Sequence, residues 1–278
     1  MKLPIILDTC TLLNILRIDD EDEFLFKKLS SLKINICNCV YNEAYKNIIS
    51  KDGFDEQQKA YILKQMPQFA RYIKSFNEDF VNQYSDEIKR FCSYTKDNGE
   101  FYSTLLSLYV CRDEDCRVFF YTDDFPAKCA FGNYFEFQQI GTVGDSVDLL
   151  LFLYWINVDF KLTQLYTYLR ELYLSYAKPL SSLSKKINEN KEIWVSKKIA
   201  DKNFIYHIDI LSKGIENLDF TKINEARVFF KTNKKKYSEI NNLIEECSII
   251  EAKSEIAKKI DNIRENYKNY KIYKKQGC

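Results

Sequence analysis

Residues 3–16 read LPIILDTCTLLNIL, and this stretch decides the fold. The apolar run of residues 3–7 ends in Asp8, which is typical of a buried parallel strand. Apolar residues at helical spacing then predict a helix over residues 10–18. An acid placed directly after a buried strand is costly unless it has a function, so Asp8 is the first candidate site residue.

Strands and helices alternate along the chain as far as about residue 158. Asn42 is suited to capping the helix after the second strand, with Glu43 in its first turn. Two or three helices are predicted over 55–96, one over 100–110 and a long one from about 145, between further strands at 32–40, 117–121 and 134–140. This alternation predicts an α/β fold, a three-layer α/β/α sandwich whose central parallel sheet is covered by helices on both faces.

Beyond residue 158 the sequence is helical throughout, and we expect two domains, 1–158 and a helical C-terminal region over 159–278. An apolar stripe that begins at Leu162 is predicted to end at Pro179. Residues 1–184 carry 20 basic and 26 acidic side chains, whereas residues 185–278 carry 21 basic and 14 acidic ones. The acidic part is suited to a metal site and the basic part to contact with a polyanion.

The composition excludes several classes of protein. Hydrophobic residues make up 46% of the 278 residues, which excludes wholesale disorder. The single histidine, His207, argues against Ser-His-Asp and Cys-His catalysis, and the seven glycines form no phosphate-binding loop. The longest apolar run, residues 149–156, is too short to span a bilayer, and the N-terminal apolar stretch is too short for a signal peptide. We therefore expect a cytoplasmic protein that does not contact the membrane.

The nine cysteines are odd in number and scattered. In a cytoplasmic protein they are expected to be reduced thiols that are mostly buried. A zinc site is the alternative, built from Cys37, Cys39, Cys111 and Cys116, although their spacing lacks the paired knuckles of structural zinc sites.

Four acids lie at the ends of the predicted elements and carry the chemistry. The carboxyl ends of parallel strands form the ligand-binding edge of an open α/β sheet. Two of the acids end strands there, and two begin helices that return to the same edge: Asp8, Asp123, Glu43 and Glu100. Four carboxylates in one crevice repel each other unless some are protonated or a divalent cation lies between them. Oxygen ligands without histidine or thiolate favour Mg²⁺ or Mn²⁺.

The order of these motifs resembles that of the PIN-domain nucleases over residues 1–158. The matching segments, in chain order, are LDTCTLLNIL (7–16), YNEAYKNI (41–48), DNGEFYSTLLSLY (97–109), YTDDFPAKCA (121–130) and IGTVGDSVDLLLFL (140–153). The resemblance implies an α/β/α sandwich that cleaves phosphodiester bonds, usually in RNA, with Mg²⁺ or Mn²⁺. By position, it implies that the catalytic, metal-binding acids are Asp8, Glu43, Glu100 and Asp123.

The same resemblance assigns supporting roles to the neighbours of these acids. Thr9 and Thr122 would hold the acids in place, and Asp124 would bind the metal through water. Lys128 follows the paired acids, as a basic residue does in the family, and is expected to contact nucleic acid. The compact toxin-type members lack a helical region as long as the one that follows here.

Three hypotheses about function remain open from the sequence. The first is a metal-dependent endoribonuclease, with a toxin of a toxin–antitoxin pair or an anti-phage defence effector as its biological role and an antitoxin or defence-system protein as its partner. The second is a nuclease acting on DNA or on a structured RNA. The third is a non-catalytic nucleic-acid-binding or scaffold protein on a PIN fold, which the complete set of acids disfavours.

The basic C-terminal region is expected to bind the polyanion. Its lysines lie beside aromatic residues, a combination suited to phosphate contact and base stacking. The candidates are Lys234, Lys235 and Lys236 after Phe229 and Phe230, and Lys271, Lys274 and Lys275 among Tyr270 and Tyr273. The alternative is a solvated helical bundle that shields the nuclease or holds a second copy of the chain in a homo-oligomer.

Overall fold

The computed structural model describes residues 3–19, 22–50, 56–196, 200–217, 219–246, 256 and 258–263. Its centre is a parallel sheet of four strands, in the order β2-β1-β3-β4. The strands are β1 (Pro4–Leu7), β2 (Lys33–Asn35), β3 (Val118–Tyr121) and β4 (Gly141–Gly144). The α/β class with a parallel sheet is therefore confirmed.

The helices follow the strands and then continue alone to the end of the described chain. A 3₁₀ helix, Ala70–Tyr72, separates the fourth and fifth of them. They are α1 (Thr9–Ile18), α2 (Phe24–Ser30), α3 (Asn38–Ser50), α4 (Glu56–Phe69), α5 (Glu78–Cys92), α6 (Gly99–Glu114), α7 (Phe125–Phe137), α8 (Ser146–Ile156), α9 (Leu162–Ser196), α10 (Lys202–Glu216), α11 (Phe220–Thr232) and α12 (Ser238–Glu246).

The two strands that position the site lie next to each other in the middle of the sheet. All four residues of β1 are buried, and Pro4 opens the strand, where its missing N–H costs no ladder bond. Leu7 pairs with Tyr121 in parallel register, and the N–H of Asp8 continues the ladder to the Tyr121 carbonyl at 3.0 Å. The residues that follow β1 and β3 are thereby brought side by side.

Four of the predicted elements are wrong in detail. Residues 134–137 end helix α7, and the fourth strand is the glycine-bounded segment 141–144. Tyr134 and Phe135 are both buried in the helix, so their aromatic character reflects core packing and not strand formation. The second strand is confined to residues 33–35, and α3 begins at Asn38, four residues before the predicted cap Asn42. Glu43 therefore lies in the second turn of α3 and not in its first. Helix α9 continues past Pro179 to Ser196.

The described residues form two compact units. The first contains residues 3–171 together with 259–263, and the second lies within 172–258. The division therefore falls inside α9, whereas the sequence placed the domain boundary at residue 158. The second unit has its own apolar core, which includes Leu183, Trp194, Phe204, Leu211, Phe230 and Ile240. None of the described helices is both long enough and apolar enough to cross a membrane.

Candidate functional site

Asp8 is fixed at the carboxyl end of β1, between the two central strands. It caps α1: its Oδ1 accepts a hydrogen bond from the Thr9 N–H at 2.6 Å. Its Oδ2 accepts one from the Thr122 hydroxyl at 3.0 Å. The side chain is fully buried, and residues that follow both strands donate to its carboxylate.

Glu43 and Asp8 meet at Gly99. The Thr9 hydroxyl donates to Glu43 Oε2 at 3.2 Å, which turns this carboxylate toward the end of β1. A Cβ placed on Gly99 would lie 2.7 Å from Glu43 Oε2 and 3.3 Å from Asp8 Oδ1. A side chain at this position would displace the Glu43 carboxylate. The structure therefore brings together two of the acids predicted from the sequence.

Glu100 is the third predicted acid at this place. It lies in the first turn of α6, which Asn98 caps by accepting the Phe101 N–H. The side chain is buried, and its Oε2 has no hydrogen-bond partner within the described ranges. The loss of hydration of a buried carboxylate oxygen is unfavourable when no hydrogen-bond donor compensates for it. This oxygen is thus available to a cation.

The electrostatics of Asp8 and Glu100 indicate a site in which negative charge predominates. The pKa of Asp8 is raised well above its usual value, mainly by burial and also by the negative charges of Glu100 and Glu43. The hydrogen bonds from Thr122 and Thr9 lower it, but by less. Burial likewise raises the pKa of Glu100. The charges of Asp124 and Glu43 raise it further, whereas a backbone hydrogen bond lowers it. A divalent cation would relieve both effects.

Asp123 and Asp124 have different surroundings although they are adjacent. Asp123 accepts hydrogen bonds from Asn14 Nδ2 at 2.6 Å, from the Ser146 N–H at 2.7 Å and from the Ser146 hydroxyl. Its carboxylate therefore links α1 to α8. The charge of Asp124 is among the influences that raise the pKa of Glu100.

The two threonines lie where the sequence placed supporting residues. Thr9 connects Asp8 to Glu43 through its backbone N–H and its hydroxyl. The Thr122 hydroxyl donates to Asp8 and accepts the N–H of Asp124 at 3.1 Å. Asp124 in turn caps α7, with Oδ1 accepting the Ala127 N–H at 2.7 Å. The strand ends and helix starts are therefore joined through these hydroxyl groups.

Lys128 forms ion pairs within its own unit. Its Nζ lies 2.8 Å from Asp145 Oδ2 and 3.7 Å from Asp148 Oδ2, at the start of α8. The expected contact with nucleic acid is therefore available to Lys128 only if these ion pairs are broken. Asn14, Ser146 and Asp145 were not predicted from the sequence. The polar start of α8 after Gly144 is a sequence signal for Asp145 and Ser146 but not for Asn14 in α1.

The three consecutive lysines of the second unit lie in the loop between α11 and α12. Lys234 Nζ is 3.6 Å from a Glu245 carboxylate oxygen, and Lys236 Nζ is 2.5 Å from Asp201 Oδ2. Lys235 is exposed. Two of the three expected phosphate contacts are thus already paired with acids. The remaining candidates, Lys271, Lys274 and Lys275 with Tyr270 and Tyr273, lie outside the described residues.

The cysteines do not form the zinc alternative in the part of the chain that the structure describes. Its seven described cysteines are free thiols, and burial raises the pKa of Cys37 to about 12. Burial, with the charges of Glu43, Glu100 and Asp8, also raises the pKa of Cys39, so this thiol lies near the acids in protonated form. Across the described ranges, no three His, Cys, Asp or Glu side chains are grouped to hold an ion as they stand.

The acids at Gly99 nevertheless have the chemistry that Mg²⁺ or Mn²⁺ requires. They supply carboxylate oxygens, two of them beside the position that a Cβ on Gly99 would take and a third that is buried and unpartnered. Coordination of one ion requires these side chains to turn toward a common point. In comparisons with known proteins, no family model, curated protein or solved structure matches this chain.

Proposed function

We propose that this protein is a divalent-metal-dependent endonuclease that hydrolyses phosphodiester bonds in RNA. The observation that carries the proposal is the convergence of Asp8 and Glu43 at Gly99, beside the unpartnered buried oxygen of Glu100. Three acids from three separate segments meet at the carboxyl edge of a parallel sheet, which is where open α/β folds bind ligands. The proposal includes a three-layer α/β/α arrangement of the first unit.

Mg²⁺ or Mn²⁺ would be held by the carboxylates of Asp8, Glu43 and Glu100, with Asp124 beside them. When bound, such an ion polarises a phosphate group and lowers the pKa of a water molecule. Its charge also offsets the mutual repulsion that raises the pKa of Asp8 and Glu100. The all-oxygen set of side chains favours these hard cations over zinc.

The other residues of the site act by holding the carboxylates in place. Thr9 and Thr122 each contact Asp8 and one further acid, so they fix the spacing between the strand ends and the helices. Asp123 joins α1 to α8 through Asn14 and Ser146 and so fixes the start of α8 against the end of β3.

RNA is favoured as the substrate because the order of motifs resembles that of the PIN-domain nucleases. The toxin and anti-phage defence roles, with a protein partner, belong to the same proposal. Labelled RNA and DNA, incubated with the purified chain in Mn²⁺, Mg²⁺ or EDTA, test it directly. We expect cleavage of RNA with either metal and none in EDTA.

Two variants and two outcomes make this test specific. Asp8→Asn removes one carboxylate of the site, whereas Asp86→Asn makes the same change at an exposed position on α5. We expect the first variant to lose cleavage and the second to retain it. If the protein cleaves DNA but not RNA, the substrate is DNA. If it binds RNA but does not cleave it with either metal, the result favours the non-catalytic alternative.

A further inference from the structure

Lys259 lies far along the sequence from the acids but belongs to the same unit. Its Nζ is 2.8 Å from Asp145 Oδ2 and 2.5 Å from Asp148 Oδ2, both at the start of α8. Residues 259–263 group with the first unit, and Ile260 and Ile263 are buried. This short helical segment is therefore packed in place by apolar side chains as well as by the two ion pairs.

The two partners of Lys259 form the cap of α8. Asp145 Oδ1 accepts the Asp148 N–H at 3.0 Å, and Asp148 Oδ2 accepts the Asp145 N–H at 3.1 Å, which is a complete capping box. Lys259 donates to the Asp148 oxygen that also accepts the Asp145 N–H. Its ammonium group therefore connects the two halves of the box.

The capped start of α8 leads by direct contacts to the acids. Ser146, between the two capping residues, donates its N–H and its hydroxyl to Asp123. Asp123 lies between Thr122, which holds Asp8, and Asp124, whose charge acts on Glu100. A shift of the α8 start would therefore move the segment that sets the positions of two acids of the site.

The charge balance at Asp145 makes Lys259 hard to replace. Asp145 is 5% exposed, and burial alone would raise its pKa, but the ammonium groups of Lys259 and Lys128 more than offset this and lower it. Both ammonium groups contact the same oxygen, Asp145 Oδ2, at 2.8 Å. Without Lys259, a buried carboxylate keeps one of its two charge partners, which is a destabilising change.

We propose that Lys259 is a positioning residue for the acid site, acting through the α8 cap and Asp123, so that the C-terminal segment is a functional part of the first unit. The effect on cleavage rests on the proposed nuclease function. The effect on the order of the α8 start does not, because it follows from the contacts of Lys259 with Asp145 and Asp148.

The test compares Lys259→Met, Lys259→Arg and the control Lys202→Met, which removes an exposed lysine at the first residue of α10. Hydrogen exchange of the amides of residues 145–149 is measured together with kcat and KM on RNA. We expect Lys259→Met to speed exchange at these amides and to lower kcat about tenfold or more, the cost typical of losing a residue that orients metal ligands. KM should change less than twofold, Arg should restore both readouts, and the control should change neither.

Wild-type exchange and wild-type kcat in Lys259→Met would overturn the proposal. A change in KM alone would also overturn it, because it would make Lys259 a substrate contact. If the wild-type chain cleaves neither RNA nor DNA, the nuclease proposal fails, and the exchange rates alone decide whether Lys259 orders the start of α8. If Lys259→Met does not fold, Lys259→Arg and Lys259→Gln replace it in the test. Wild-type exchange and kcat in Lys259→Arg, together with faster exchange in Lys259→Gln, would then support the positioning role of Lys259.

Discussion

Replacing Gly99 with alanine inserts one methyl group between the two carboxylates of the site. The new Cβ would lie 2.7 Å from Glu43 Oε2, 3.3 Å from Asp8 Oδ1 and 3.4 Å from Thr9 Oγ1. Restoring ordinary van der Waals separation moves the Glu43 oxygen by roughly 0.7 Å. That oxygen is the end of a flexible side chain, so the shift costs little stability.

We therefore expect Gly99→Ala to fold with a Tm close to that of the wild type and to lose function. Misplacement of a catalytic group by about 1 Å costs on the order of 10²-fold in rate, and we expect a loss of kcat of that order. The assays are Mn²⁺-dependent cleavage of labelled RNA and the rise in Tm on addition of Mn²⁺, both of which should fall together.

Gly132→Ala is the matched control for this prediction. Gly132 also lies in a helix, α7, and a Cβ there would meet no atom within 4 Å. It should raise the Tm slightly and leave cleavage unchanged. A Gly99→Ala variant that cleaves within threefold of the wild type, with an unchanged affinity for Mn²⁺, would refute the assignment of Gly99 to the centre of the site.

Four further predictions follow from the charges of the molecule. Because burial raises the pKa of Asp8 in the folded state, its ionised form destabilises the metal-free protein at pH 7, and calorimetry should show a higher Tm for Asp8→Asn. Mn²⁺ should raise the Tm of the wild type but not that of Asp8→Asn combined with Glu100→Gln, and an equal rise would place the ion elsewhere. The hydrogen bond from Lys236 is the main cause that lowers the pKa of Asp201 to about 2. The ionised Asp201 therefore stabilises the fold fully above about pH 4, and this stabilisation is lost as the pH falls toward 2. Asp201→Asn should flatten that part of the Tm-against-pH curve. The last prediction concerns a variant in which Lys234, Lys235 and Lys236 are all changed to glutamine. Two of these lysines are already paired with acids, so at most one phosphate contact is lost. The slope of log affinity for RNA against log salt should therefore change by no more than about 0.7.

The sequence was sufficient for the two central strands because their residues have no alternative. An apolar run that ends in Asp8, and a second that ends in Thr122, fit only buried strands whose ends face a polar site. The glycine-bounded segment 141–144 has no such composition. It becomes a strand by pairing with β3, and Gly141 has φ +153° with a Cβ position only 1.9 Å from the Val118 carbonyl oxygen. That is a tertiary constraint which local sequence does not express.

The different surroundings of Asp123 and Asp124 could not be predicted from the sequence, because the two acids are adjacent and of the same type. Asp123 accepts hydrogen bonds from α1 and α8, whereas Asp124 caps α7 and its charge acts on Glu100. Lys259 lies 114 residues from Asp145, and no pattern in the sequence connects them.

The location of a bound ion tests the proposed chemistry most directly. Crystals of the protein soaked in Mn²⁺ and measured at a wavelength where manganese scatters anomalously would show where it binds. We predict an anomalous peak within about 2.0–2.3 Å of carboxylate oxygens of Asp8, Glu43 and Glu100, and no peak in Asp8→Asn crystals. A peak at other residues, or none at saturating Mn²⁺ in a preparation that cleaves RNA, would contradict the assignment of this site.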